Sequence, residues 1–583
     1  MIRRARTFAQ SAVRARTWPV LVDFVVFAGV IALLYGFAVI TRYWFTAPVA
    51  QVDISRSPRA LPAYAFYSLV RMAVAFVFSF IFAISYGYIA AYNRRLETLM
   101  IAVLDILQSI PLLSFLPGVM LATVALFPTR QLGLELGSIL LIFTGQVWNM
   151  AFSFYSSLKA IPRELRESTR IFRFSRAQRF FQLELPFAAI GLVWNAMVSV
   201  AQGWFTLMLC EMFVLNQRDF RLPGLGSYLQ TAAANGDTPA MVYGILALVG
   251  VIVMLDQFLW RPLIAWSDKF KFEQTETVSA PRSPLLALLR NSTIARALRT
   301  RVLSPLAERG IALMASETPQ PAARRETKPT RSKVSGMVVG ILVVLAMLAV
   351  VIYGVTRAVV TLSQVSHAEF TMTMHAAGAT LARVTISLIL ALAWTIPAGV
   401  AIGFQPRLAR YAQPLAQIAA SVPATALFPI ILLAIIRLGG GINSASILLM
   451  LLGTQWYILF NVVAGAMAIP GDLRDVAGIF HFTLRERWMT VILPGIFPYL
   501  LTGLVTASGG AWNASIVAEY FRLREHTYQT LGLGAQISHA TDTGNSALLL
   551  LSTLLMAAMV VTINRLLWKP LFRLSEKRYR LDA

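Results

Sequence analysis

Residues 161–186, IPRELRESTRIFRFSRAQRFFQLELP, are matched further along the chain by residues 469–494, IPGDLRDVAGIFHFTLRERWMTVILP. Pro162 aligns with Pro470 and Pro186 with Pro494, each 308 residues on (470 − 162 and 494 − 186). Both copies are polar, charge-rich insertions between long apolar runs. An Ile-Pro opens each one, and proline is tolerated at a first helical position, where its missing N–H costs nothing. Acids follow in the first turn (Glu164 and Glu167; Asp472 and Asp475), where the positive end of a helix dipole favours them. A second start signal comes next. Ser175-x-x-Gln178 and Thr483-x-x-Glu486 both read as capping boxes. The expectation is two short helices at an angle in each copy, ending at a proline that opens the next membrane helix. Such an elbow is a docking element shown twice to the aqueous phase.

The 583 residues are 57% apolar and only 13% charged, with a mean hydropathy of +0.66. That is too apolar for a water-soluble chain of this length, and its long apolar runs read as membrane spans. Lys and Arg number 51 against 27 Asp and Glu, a net charge of +24. Their placement argues against nucleic acid as a partner, because the positive residues gather in segments on one side of the membrane. A single cysteine, Cys210, excludes an internal disulfide. Residues 1–16 are basic, but the apolar run after Trp18 is too long for a cleavable leader. It reads as an anchor with its N-terminus in the cytoplasm.

Hydropathy places twelve spans. Six fall at 19–40, 63–91, 98–127, 136–158, 187–215 and 239–264, and six at 335–360, 374–403, 411–436, 444–467, 495–519 and 546–568. Threaded from a cytoplasmic N-terminus, they put both elbows, the segment 265–334 and the Arg-rich tail inside. The domain reading is an anchor helix and outer loop at 1–62, a first membrane unit at 63–266, and a basic linker at 267–334. A second anchor at 335–371 and a second unit at 372–583 complete it. The linker is rich in Ser, Thr, Pro and charge around a stretch with helical apolar spacing. A basic amphipathic helix on the inner leaflet and a loosely ordered connector both fit it.

The duplication extends well beyond the elbows. Gly145, Trp148, Trp204, Glu211, Gly224-Leu225-Gly226 and Trp260 recur as Gly453, Trp456, Trp512, Glu519, Gly532-Leu533-Gly534 and Trp568, all at the same displacement. Upstream the displacement becomes 312: Arg71 matches Arg383, Gly87 matches Gly399 and Pro111 matches Pro423. The first half therefore carries four additional residues between Pro111 and Gly145, expected in the outer loop around 128–133. Six spans per copy is an even number, so the halves share one orientation about an axis along the membrane normal. Two equivalent cytoplasmic surfaces suit a symmetric dimeric partner.

These residues resemble the integral-membrane permeases of bacterial ABC importers, here with two permease domains fused. The family hallmark is a cytoplasmic E-A-A-x-x-x-G loop followed by I-x-L-P or similar. The counterparts are Glu167-Ser168-Thr169 with Leu183–Pro186, and Asp475-Val476-Ala477 with Val491–Pro494. The helix openings Ser68–Arg71 and Thr380–Arg383, the Trp204/Glu211 and Trp512/Glu519 spacing, and the outer Gly-Leu-Gly are most similar to the nitrate/sulfonate/taurine branch. The resemblance implies an all-α membrane fold of two parallel six-helix repeats, each with a coupling-helix loop, in the bacterial inner membrane. It implies a cytoplasmic ABC ATPase dimer and a periplasmic substrate-binding protein as partners, alongside membrane lipid. ATP and Mg would be used by the ATPase. It assigns ATPase coupling to Pro162, Glu164, Glu167, Ser168, Thr169, Arg173 and Ser175, and to Pro470, Asp472, Asp475, Val476, Ala477, His481 and Thr483. Arg173 and His481 stand where the family carries glycine. If that turn needs positive φ, His fits it poorly and Arg worse.

The chain has no Gly-Lys-Ser/Thr loop, HExxH or CxxC, so no catalytic residue, metal site or cofactor is expected on it. Energy must come from outside. Candidate pathway residues are Gln146, Trp148, Trp204, Glu211, Gln455, Trp456, Trp512 and Glu519. Packing between helices explains the Gln and Trp residues equally well. For the two Glu, a helix-end carboxylate reaching interfacial water or an outer-loop Arg is the alternative. Arg71 and Arg383 fit attraction of an anion, snorkelling, or pairing with a carboxylate. The Gly-Leu-Gly stretches read as tight outer turns. The substrate expected from the branch is a small anion such as a sulfonate, nitrate or bicarbonate. The rivals are an ion-coupled secondary transporter, which needs mid-membrane coupling carboxylates, and a membrane-bound enzyme, which needs a catalytic constellation.

Overall fold

The computed structural model describes residues 42–46, 53–109, 116–212, 214–215, 218–219, 221–270, 352–469, 471–523 and 526–578, together with 301, 305 and 349. The expected span at 19–40, nearly all of the 267–334 linker, most of the 335–360 span, Pro111 and Pro470 lie outside the described residues. The first half contributes α1 (Leu61–Tyr92), α2 (Arg94–Ser109), α3 (Leu116–Leu126), α4 (Leu132–Ala160), α5 (Arg163–Ile171), α6 (Arg176–Glu211), α7 (Leu225–Ala234) and α8 (Thr238–Ser267). The second contributes α9 (His367–Phe404), α10 (Pro406–Ser421), α11 (Ala424–Arg437), α12 (Ile442–Ala468), α13 (Gly471–Ile479), α14 (Leu484–Ala518), α15 (Leu533–Thr543) and α16 (Ser546–Ser575). Each helix of one half has its counterpart eight places on. A further short apolar helix, Ile352–Leu362, precedes α9.

Among the described residues eight helices are long and apolar enough to cross a membrane: α1, α4, α6, α8, α9, α12, α14 and α16. The expected span at 411–436 is broken into two shorter helices, and the one at 98–127 is described only as two helices, with residues 110–115 between them outside the described residues. In the second half the break falls at Val422-Pro423. The residue before a proline is pushed into extended backbone, and Val422 has φ −77° and ψ 117°. The chain is not wholly helical either. Two short antiparallel hairpins, β1 (Val214–Leu215) with β2 (Arg218–Asp219) and β3 (Tyr520–Leu523) with β4 (His526–Gln529), occupy the segments after α6 and α14.

The elbows also differ from the reading of two separate short helices. Both capping boxes form: the Ser175 and Thr483 hydroxyls accept from the N–H of Gln178 and Glu486, whose side chains reach back. The helix each box starts does not stop at the proline. It runs on as one rod, α6 or α14. Proline lacks the N–H and crowds the carbonyl four residues back. The turn just before it is widened, so that Leu185 N–H bonds to the Phe180 carbonyl and Leu493 N–H to that of Trp488. The same widened turn precedes Pro262 and Pro570, where Arg261 N–H bonds to Asp256 and Lys569 N–H to Asn564. Four prolines thus sit inside continuous helices, each behind a one-residue bulge of the kind that bends a helix.

Contacts between the halves are reciprocal. Helix α8 packs on α10 and α16 on α2, while α7 meets β3 and α15 meets β1. This exchange of equivalent contacts is what a pseudo-twofold axis produces. One apolar core runs through both halves, with Trp204 and Trp512 among its largest buried side chains.

Candidate functional site

Three features follow from this arrangement: a cavity between the halves, a polar knot at one end of it, and the paired elbows at the other.

The cavity has a volume of about 820 Å³ and is walled by both halves. Gly145, Trp148 and Asn149 line it from α4, and their counterparts Gly453, Trp456 and Tyr457 from α12. These are positions i, i+3 and i+4, one face of a helix. Of the candidate pathway residues, Trp148, Trp204 and Trp456 are in the wall. The other five are not. The Gln146 amide is buried against Met72 Sδ at 2.8 Å, and Gln455 Oε1 accepts from Trp394 Nε1 at 3.1 Å. Trp512 is buried in the core, and Glu211 and Glu519 are held in the knot. Sequence reading missed the amides Asn149, Gln202, Gln413, Gln417 and Asn513, which also line the cavity. The signal was there: Asn149 follows Trp148 on the same helical face. Toward the elbows the wall reaches Met467 and Phe572; toward the opposite end it stops at Thr206 and Ala514, short of Glu211 and Glu519.

Beyond that limit lies the knot. Arg71 is fully buried and serves two carboxylates: Nε and Nη2 donate to Glu135 at 2.5 and 2.7 Å, and Nη1 to Glu211 at 2.8 Å. Glu211 also accepts from Ser68 Oγ at 2.7 Å and from the Gly226 N–H at 2.7 Å. In the second half Arg383 Nη1 donates to Glu519 at 2.8 Å, with Thr380 Oγ1 and the Gly534 N–H at 2.9 Å each. Arg383 Nη2 donates to Asn443 Oδ1 at 2.9 Å, and Asn443 is the counterpart of Glu135. Pairing with a carboxylate is therefore what both arginines do, and neither Glu reaches the cavity. Gly-Leu-Gly is not a turn alone: it opens α7 and α15, where the Gly226 and Gly534 N–H groups hold the carboxylate as a helix N-terminus holds an anion. The Leu225 and Leu533 N–H groups donate to the Ser68 and Thr380 hydroxyls.

The glycines are required by closeness. A Cβ on Gly224 or Gly532 would lie 2.2 or 2.1 Å from the Glu211 or Glu519 carboxylate. On Gly534 it would lie 2.3 Å from the Ser515 carbonyl oxygen, which is backbone and cannot swing away. Gly534→Ala is expected to destabilise the protein by about 2 kcal/mol or more, and Gly226→Ala, with its nearest backbone atom at 2.7 Å, by less. Thermal unfolding of the detergent-purified variants checks the order.

At the far end, the elbow turns are built alike. Arg173 (φ 52°) and His481 (φ 50°) are the only non-glycine residues at positive φ among those described. The turn does need the left-handed conformation, and both residues occupy it despite the strain. Beside them Ile171 and Phe172 are 77% and 73% exposed, and Ile479 and Phe480 are 72% and 69% exposed. Glu164, Glu167, Arg173, Asp472, Asp475, Val476 and His481 are exposed, while Thr169, Ser175 and Ala477 are buried beneath them. No group of three or more His, Cys, Asp or Glu able to hold a metal occurs among the described residues.

Comparison with known proteins places these features. Residues 83–259 and 395–580, more than half of the chain, match the family of binding-protein-dependent transport system inner membrane components. The nitrate import permease protein NrtB of Leptolyngbya laminosa is 27% identical over 188 residues, 32% of this chain and 64% of that protein. The bicarbonate transport system permease protein CmpB of Synechocystis is 32% identical over 141 residues, 24% of this chain and 49% of that protein. The taurine transport system permease protein TauC of Escherichia coli is 28% identical over 175 residues, 30% of this chain and 59% of that protein. The chain thus spans roughly half to under two thirds of the length of these relatives. With a matched unit in each half, this chain belongs to the family of binding-protein-dependent transport system inner membrane components.

Proposed function

We propose that the chain is a two-domain permease of an ATP-driven, binding-protein-dependent importer, each half supplying one coupling elbow to a cytoplasmic ABC ATPase dimer. The observation that carries this is the pair of elbows: one backbone, repeated 308 residues apart, strained at Arg173 and His481 and tipped with exposed Phe172 and Phe480. Strain of this kind persists where the surroundings over-determine it and clusters at functional sites. Closure of the ATPase dimer on ATP draws the elbows together, and rigid α6 and α14 carry that motion to the cavity walls. The cavity reaches toward the elbows and ends short of the two knots, which supports reading the present conformation as inward-facing. Alternating access then requires the two halves to part at the knot end while the elbow side closes.

The relatives' names support a small anion as substrate: nitrate, bicarbonate, taurine or another sulfonate. Twelve spans, the domain limits at 62, 266, 334 and 371, cytoplasmic termini and an inner-membrane location belong to this proposal, supported by hydropathy and the placement of Lys and Arg. So does the periplasmic binding protein, which would deliver substrate at the knot end. The rival ion-coupled transporter lacks support, since Glu211 and Glu519 are consumed by arginines. The test is uptake of labelled nitrate, bicarbonate and taurine into vesicles holding the chain with its ATPase. Uptake of one of them should need ATP and the binding protein and should not respond to collapse of proton or sodium gradients. Gradient-driven uptake without ATP would overturn the proposal.

A further inference from the structure

The two elbows share a backbone and differ in charge. Residues 161–186 hold six Arg and three Glu, net +3, whereas residues 469–494 hold three Arg, two Asp and one Glu, net zero. The difference is concentrated on the exposed face. Arg163, Arg170, Arg173 and Arg176 are exposed, and at the equivalent positions stand Gly471, Gly478, His481 and Leu484. Glu164 and Glu167 are matched by Asp472 and Asp475, and the second elbow adds exposed Arg485 and Glu486 where the first has Ala177 and Gln178, a pair of opposite charges that leaves the contrast in net charge standing. Glu184 does not offset the four guanidinium groups, because it is buried and held by Arg179 at 2.7 Å and the Tyr92 hydroxyl at 2.5 Å. Geometry is not the source of the difference. The turn residues have φ 52° and 50° and both capping boxes form.

A groove that pairs four guanidinium groups with carboxylates would leave those carboxylates desolvated and unpaired against Gly471, Gly478, His481 and Leu484. A groove suited to the second elbow would leave the guanidinium groups unpaired. Two copies of one groove would complement the two elbows unequally. Building repulsion or unpaired charge against the wrong partner is how an interface discriminates. We propose that the elbows dock on two different ATPase polypeptides, the first elbow on an acidic groove and the second on one without net negative charge. This rests on the coupling role proposed above and adds to it a fixed, non-interchangeable arrangement of the motor.

The test is cross-linking in native membranes that contain the full-length chain with its own ATPases. Ile171→Cys and Ile479→Cys place one thiol at equivalent exposed positions, and buried Cys210 stays silent. Conjugates made with a short thiol-to-amine reagent are identified by mass spectrometry. The expected result is two different P-loop ATPase polypeptides, one per elbow. Raising ionic strength from about 0.05 to about 0.5 M should lower the yield at the first elbow roughly 5-fold and change the second by less than about 2-fold. Adding Arg170→Gly, Arg173→His and Arg176→Leu to the first elbow should cut its yield about 10-fold or more. The same polypeptide at both elbows with equal salt response would overturn the proposal while leaving the coupling role standing. A full yield in that triple variant, with salt sensitivity that vanishes in nanodiscs of neutral lipid, would assign the arginines to anionic headgroups and also overturn it. No ATPase at either elbow would remove the coupling role itself.

Discussion

Arg71→Ala is expected to destabilise the membrane domain by about 3–5 kcal/mol, the cost of breaking a buried ion pair by removing one partner. Two carboxylates, Glu135 and Glu211, lose their guanidinium at once, and both are buried. Glu211 keeps the Ser68 hydroxyl and the Gly226 N–H, but these do not neutralise it. Arg383→Ala should cost less, because it abandons one carboxylate, Glu519, and a neutral amide, Asn443. The ordering is the sharp part of the expectation. Glu135→Asn copies the second half into the first and should cost less than Arg71→Ala, because Arg71 keeps Glu211 while Asn cannot accept from both Nε and Nη2. It should also recover part of the Arg71→Ala loss in a double-mutant cycle. Arg71→Lys should rescue little, since an ammonium cannot fork to Glu135 and still reach Glu211. Thermal unfolding of detergent-purified variants measures all four. Arg383→Ala proving as costly as Arg71→Ala would show that the second carboxylate carries no weight.

Phe172→Ala combined with Phe480→Ala should leave insertion and folding intact and weaken ATPase binding by about 100-fold or more. Both rings are largely exposed, so the fold gives up little packing when they are truncated. Burying a side chain of this size in a partner contributes about 1.5–3 kcal/mol, and exposed aromatic anchors of this kind dominate interfaces. Two together correspond to at least two orders of magnitude in affinity. Co-purification of the ATPase at a series of concentrations, with the knot variants as controls for folding, reads the effect. Undiminished co-purification of the double variant would move the docking surface elsewhere.

Much of this was legible in the chain. The displacement of 308 residues fixes which positions are equivalent, and the capping signatures at Ser175 and Thr483 mark where two helices start. Local hydrogen bonding alone decides these starts, so three or four residues suffice to read them. The glycine replaced by Arg173 and His481 signalled a strained turn, because only backbone sterics are involved.

What the chain could not disclose depended on distant partners. Glu211 reads as a pathway carboxylate in isolation, and only the fold brings Arg71, Glu135 and the Gly226 N–H to it from three other segments. Pro186 and Pro494 read as helix openings, yet the rods pass through them because a widened turn absorbs the missing donor. The span at 411–436 reads as continuous by hydropathy, which is blind to the backbone set by Pro423. Sequence alone determined a duplicated membrane protein with two polar elbows, since apolar run length and cap residues are local properties. Tertiary structure decided which polar groups face the cavity and which are locked away, since that depends on how the helices turn toward one another when they pack.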